Sequence, residues 1–233
     1  MERWHSNNHI SIFPVFLLLL FITLSKYNLS IGFALKIYMI YLAIYFCLYF
    51  RNFYFRTLYH YEILLLLFYF TYCLSGAFSQ YPEASIRVIL GVILVLVCYL
   101  IMRYLLEKAS IRAIEVSIAN VGIIFNGISL LLYIIGLQVA GGHPTGVEIT
   151  SYGLLLDRDY PRLIGLLDDP NIFIFYNALF FSFYLTHLKG MKNSIGFILS
   201  VITSLLTFSR GGIVALILVV LLYMLLANFS KKV

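Results

Sequence analysis

The chain has 233 residues, of which 62% are hydrophobic and only 11% charged, far below the roughly 25% charge of a soluble globular domain. Its formal charge of +6 would suit nucleic acid. However, the basic residues stand at the ends of apolar blocks, where membrane orientation and lipid headgroups account for them, so no nucleic-acid partner is expected. Cys47, Cys73 and Cys98 fall inside apolar blocks without CxxC spacing or a histidine cluster, which argues against a disulfide framework and a zinc site.

The apolar residues come in blocks about 20 long, the length that crosses a bilayer as a helix. The expected fold class is therefore all-α, a polytopic transmembrane bundle over residues 1–233 with about eight spans. The N-terminal stretch has an early Arg3 and an apolar core, as a signal peptide does. No small-residue cleavage site follows and the next apolar block begins at once, so it reads as a retained first span. The spans fall at about His9–Leu24, Ile31–Phe50, Ile63–Phe78 and Ile86–Met102, then Ala113–Leu137, Ile172–Leu188, Ser194–Phe208 and Gly212–Phe229. Lys36 lies inside the second of these. A charge there marks function by default, but its place near the outer end favours snorkelling to the interface.

Orientation follows from the bias of Lys and Arg between alternate connections. One set of ends carries Arg3, Arg51, Arg56, Arg103, Lys108, Arg112, Lys189, Lys192, Lys231 and Lys232. The other carries Lys26, Arg87, Arg158, Arg162 and Arg210. The first set is expected to be cytoplasmic, with both termini inside.

The one long polar interruption runs from about Val139 to Asn171 and falls on the outer side. It holds half of the chain's ten acids (Glu148, Asp157, Asp159, Asp168, Asp169), with Arg158, Arg162, His143 and three prolines. Asp169 before Pro170 reads as a helix start, the carboxylate capping and the proline at the first helical position. Gly165 would permit a sharp turn that folds Arg162 back toward that start. Further along, Ser209-Arg210-Gly211-Gly212 opens the last span. Ser209 is a candidate N-cap, and the glycines leave the first-turn N–H groups open beside an arginine whose planar fork suits phosphate. The plainer reading has Arg210 anchored at the headgroups and the glycines allowing close helix packing. A third patch, Ser79 to Arg87, reads alone as a hairpin turn with an interfacial arginine. Together Arg87, Arg162 and Arg210 break the usual depletion of positive charge on an outer face, and a lipid-linked phosphate or diphosphate is the natural counter-charge.

Three motifs follow one another: a short turn with Ser79, Pro82 and Ser85, then Arg162-x-x-Gly165 leading to Asp169-Pro170-Asn171, then Ser209-Arg210-Gly211-Gly212. In that order they resemble the O-antigen ligase and O-antigen polymerase superfamily of bacterial envelope proteins, over about the last two-thirds of the chain. The resemblance implies metal-independent glycosyl transfer on the outer face of the bacterial cytoplasmic membrane, without a cofactor. The implied donor is a polyprenyl-diphosphate-linked glycan, and other polysaccharide-assembly proteins are implied partners. Arg162 and Arg210 match the arginines that hold the donor diphosphate, with Ser209, Gly211, Gly212 and Arg87 beside them. Gly165, Asp169, Pro170 and Asn171 shape the loop–helix junction. Family members carry a further outer loop with an important histidine after this point, so the chain is expected to be an N-terminal portion or a truncated member. Within it the candidate bases are His143, Glu148 and Asp168, with Asp157 and Asp159. Two alternatives stand beside this reading. One is a transporter or flippase of lipid-linked sugars, against which the scarcity of charge within the spans argues. The other is a non-catalytic membrane scaffold or an inactive truncated family member.

Overall fold

The computed structural model describes residues 11–30, 34–54, 57–141, 149–157 and 160–230. Among them are eight α-helices: α1 Ile12–Thr23, α2 Ile37–Tyr49, α3 His60–Ala77, α4 Pro82–Lys108, α5 Ile111–Ala140, α6 Pro170–Thr186, α7 Met191–Leu206 and α8 Arg210–Ser230. Each expected apolar block overlaps one of them. The molecule is mostly helical, and among the described residues three stretches are long and apolar enough to cross a membrane: α4, α5 and Arg210–Ala227 of α8.

Helix α5 is the central post. Ser110 caps its start, its Oγ accepting the Ala113 N–H at 3.1 Å, and Gly141 ends it in a left-handed conformation. Ser117, Val121, Phe125 and Ser129 recur at helical spacing on one buried face. Gly122 lets α6 close in, since a Cβ there would meet the ring of Phe180 at 2.8 Å. From α6, the Tyr184 hydroxyl reaches the Ala119 carbonyl at 2.7 Å. Phe125 stacks on Phe173 with ring centroids 4.8 Å apart. A second cluster, including Val15, Leu18, Leu42 and Leu105, joins α1, α2 and α4. Helix α8 lies on α6 through Leu216, Ile174 and Phe181.

The interface of α5, α6 and α7 also holds a buried polar layer. The Asn177 amide donates to the Ser200 carbonyl at 2.9 Å and to the Ser204 hydroxyl at 2.8 Å. Ser200 Oγ returns a bond to Asn177 Oδ1 at 3.0 Å, and Thr203 donates to Asn126 Oδ1. All five side chains are closed to solvent. Where no water competes, each polar group must find a protein partner, so these bonds select one register of the three helices.

Two local features differ from the sequence reading. Helix α2 begins at Ile37 rather than near Ile31, because β1 (Asn28–Ser30) and β2 (Ala34–Lys36) pair as an antiparallel hairpin, Asn28 opposite Lys36. Lys36 therefore precedes its helix, and its ammonium donates to the Ser25 carbonyl at 2.6 Å. It closes the hairpin, opposite Asn28, rather than sitting within the helix. After α5, the segment expected as a polar loop contains a small antiparallel meander of β3 (Ile149–Ser151), β4 (Leu154–Leu156) and β5 (Arg162–Leu163). Its apolar underside, with Leu154, Leu163, Leu166 and Leu167, joins the core cluster of α5 and α6.

Replacing Asn177 by Leu strands the Ser200 hydroxyl and removes the bonds to α7. Interhelical hydrogen bonds of this kind are worth up to about 1–2 kcal/mol. Asn177→Leu is expected to lower the thermal unfolding midpoint in detergent, whereas Asn28→Ala, on the exposed hairpin, leaves it unchanged.

Candidate functional site

The site forms where the meander meets the starts of α6 and α8. β4 and β5 pair with Leu155 opposite Arg162 and Leu154 opposite Leu163. This pairing carries the Arg162 side chain inward, where it is 6% exposed. Its Nε donates to the Thr207 carbonyl at 3.1 Å, and its Nη1 lies 3.0 Å from Asp157 Oδ2. Thr207 is the C-cap residue of α7, a place where carbonyls lack intrahelical partners and a cation is favoured. Arg162 thus ties the meander to the α7–α8 turn.

That turn is tightly determined. Phe208 adopts a positive φ of 49°, and Tyr160 packs on it with ring centroids 5.0 Å apart. The Ser209 N–H donates to Thr207 Oγ1 at 3.2 Å. Ser209 Oγ accepts the Gly212 N–H at 3.3 Å as the cap of α8 and donates to Asn171 Oδ1 at 2.7 Å. Asn171 belongs to the first turn of α6, whose cap is Asp169: its Oδ1 accepts the N–H groups of Asn171 at 2.6 Å and Ile172 at 3.1 Å. Pro170 fills the first helical position. Two helix N-termini are therefore held side by side through Ser209 and Asn171.

Gly165 makes the approach possible. Its φ is +59°, and a Cβ there would strike Ser129 and come within 2.8 Å of the Phe173 ring. The N–H groups of Ile164 and Gly165 both donate to the Gly153 carbonyl, at 2.9 and 3.0 Å. The turn therefore closes onto β4, and Arg162 is directed to Thr207 rather than to the α6 start. The two glycines of α8 divide the expected roles. Gly212 packs against the Ile174 side chain, as close helix packing requires, whereas Gly211 faces open space. Arg210 is exposed beside it.

The sequence candidates do not all converge. Arg162, Ser209, Asn171, Asp169 and the glycines meet at this junction. Asp168 is largely exposed and pairs with Lys26 at 2.9 Å, which adds the α1–α2 hairpin to the same end; the Tyr176 hydroxyl reaches Ser25 Oγ there at 3.2 Å. Arg87 is exposed on α4, and among the described residues no hydrogen bond or ion pair links it to the junction. His143, Glu148, Arg158 and Asp159 lie outside the described residues. Three features escaped the sequence reading: the Asp157–Arg162 pair, the Thr207 carbonyl as an arginine acceptor, and Ser129. The last is fully buried beneath Gly165, its hydroxyl without a hydrogen-bond partner among the described residues. Only the leucine pattern at Leu154–Leu156 and Leu163–Leu167 could have announced the buried underside.

Comparisons with protein-family models, curated proteins and solved structures give no match to this chain. The likeness to O-antigen ligases and polymerases rests on the motif residues alone.

Gly165→Ala combines a positive φ with a collision and is expected to cost about 1–3 kcal/mol. Gly211→Ala, in open space at a helix start, should be neutral or slightly stabilising. Thermal unfolding of both variants in one detergent measures the contrast.

Proposed function

We propose that the chain acts on a polyprenyl-diphosphate-linked glycan as a membrane glycosyltransferase of the O-antigen ligase and polymerase type. In this reading the helices cross the bacterial cytoplasmic membrane with both termini inside, and the junction of α6 and α8 faces outward. The observation that carries it is the setting of Arg210, exposed at the start of α8 next to the open Gly211 and bridged by Ser209 to the start of α6.

The chemistry asks for such a place. An acceptor hydroxyl oxygen attacks the anomeric carbon of the donor sugar, the bond from that carbon to the diphosphate oxygen breaks, and the acceptor proton passes to a base. The diphosphate leaves with more negative charge than it had in the donor. Fixed cations and helix N-termini stabilise that gain because they need not reorganise as it develops. Arg210 would meet the diphosphate directly. Arg162, buried and already bonded to Asp157 and Thr207, is assigned as a positioning residue that holds the turn carrying Ser209 and Arg210. Of the candidate bases His143, Glu148 and Asp168, Asp168 is the one within the described residues.

Arg210→Ala is expected to abolish glycan chain growth in cells while the amount of membrane-inserted protein stays the same, and Arg210→Lys to restore part of it. A wild-type glycan profile from Arg210→Ala would overturn the proposal. Arg162→Ala is expected to remove activity together with thermal stability, because it cuts the tie between the meander and the Thr207 carbonyl. Lysine cannot reach both partners, so Arg162→Lys should recover less than Arg210→Lys does.

A further inference from the structure

We infer that the cleft between α3 and α4 holds one acyl chain of an anionic phospholipid, with its phosphate against the basic end of α4 and Arg51. A cavity of about 240 Å³ lies between the two helices. Its walls are Leu58, Leu65, Leu66, Leu96 and Leu100, and Glu62, Tyr99 and Arg103 stand at one end.

Those three polar residues are spent on one another. Arg103 Nε lies 3.0 Å from Glu62 Oε1 and 3.2 Å from Glu107 Oε1. The Tyr99 hydroxyl donates to Glu62 Oε1, and the Tyr59 N–H donates to Oε2 at 2.6 Å. Glu62 is 2% exposed. The space left over is bounded by hydrocarbon, so its occupant is hydrocarbon too.

Basic residues gather at the end of α4 that carries Arg103. On either side of residues 55–56 the chain between α2 and α3 touches the last turns of α4: Tyr104 donates to the Asn52 carbonyl at 2.7 Å, and Arg103 Nη2 to the Thr57 carbonyl at 3.1 Å. Phe53 stacks on Tyr104 with ring centroids 4.0 Å apart, and the Lys108 ammonium sits 4.9 Å from the centre of the Tyr54 ring. Arg51 in this linker, Lys108 at the end of α4 and Arg112 at the start of α5 form no ion pair among the described residues: Glu62 and Glu107 lie against Arg103, and Glu115 is 3.8 Å from His187. A hydrocarbon slot beside a helix end that gathers unpaired cations and aromatic rings matches a lipid with a net negative headgroup; a zwitterionic one brings its own cation. The inference rests on α3 and α4 standing in a bilayer and is independent of glycosyl transfer.

Native mass spectrometry of the full chain, purified in detergent and supplied with equal phosphatidylglycerol and phosphatidylcholine, tests it. Retention of one phosphatidylglycerol in preference to phosphatidylcholine is expected, by roughly fivefold or more for each cation engaged. Arg51→Gln with Lys108→Gln should remove the preference. Leu66→Trp, on a partly exposed face, should fill the slot and remove the bound lipid. A phosphatidylglycerol carrying a diazirine on its acyl chain should label the segments 58–66 and 96–103. Equal retention of both lipids, labelling confined to other helices, or an undiminished preference in the glutamine double variant would each overturn the inference.

Discussion

The junction depends on one buried guanidinium. A helix end leaves carbonyls without partners, and inside a packed bundle no water is available to satisfy them. Arg162 meets that demand at Thr207 and in turn has its charge met by Asp157. The α7–α8 turn, the meander and the two helix starts are consequently fastened together. Gly165 and Gly153 allow the close approach, and Phe208 accepts an unfavourable conformation to complete the turn.

The same demand shapes the middle of the bundle. Asn126, Asn177, Ser200, Thr203 and Ser204 form a layer in which every bond ends on a protein atom. Apolar side chains alone would let α5, α6 and α7 slide past one another at little cost, because many registers bury similar area. The directional bonds of Asn177 distinguish among them. At the far end of α4, Arg103 plays the corresponding part, tying α3, α4 and the preceding linker through Glu62, Glu107 and Thr57.

The described arginines therefore divide by burial. Arg162 and Arg103 are enclosed by their acids and carbonyls and serve to hold segments in place. Arg210, Arg51 and Arg112 remain on the surface and are open to an anion from outside the chain. Charge counts along the sequence treat all of them alike. The glycosyl-transfer proposal draws on Arg210 and the lipid inference on Arg51 and Arg112, at separate places on the molecule.

Much of the helical frame is legible from local order: apolar blocks separated by polar ends, the Asp169-Pro170 start and the Ser209 cap all read correctly because capping and hydrophobic length involve neighbours in the chain. The β1–β2 hairpin was hidden because Ala34, Leu35 and the residues after them read as one apolar run. The meander is not legible because Leu154 and Leu163 stand among acids and prolines, a composition that loops share. What the sequence by itself determined is an apolar, mostly helical chain with its helix starts marked by short polar caps. Only the tertiary structure decided that Arg162 turns inward to Thr207, that Arg87 stands apart and that Lys36 closes a hairpin. Those outcomes depend on which carbonyls and carboxylates from distant segments arrive within hydrogen-bonding distance, a quantity that neighbouring residues do not encode.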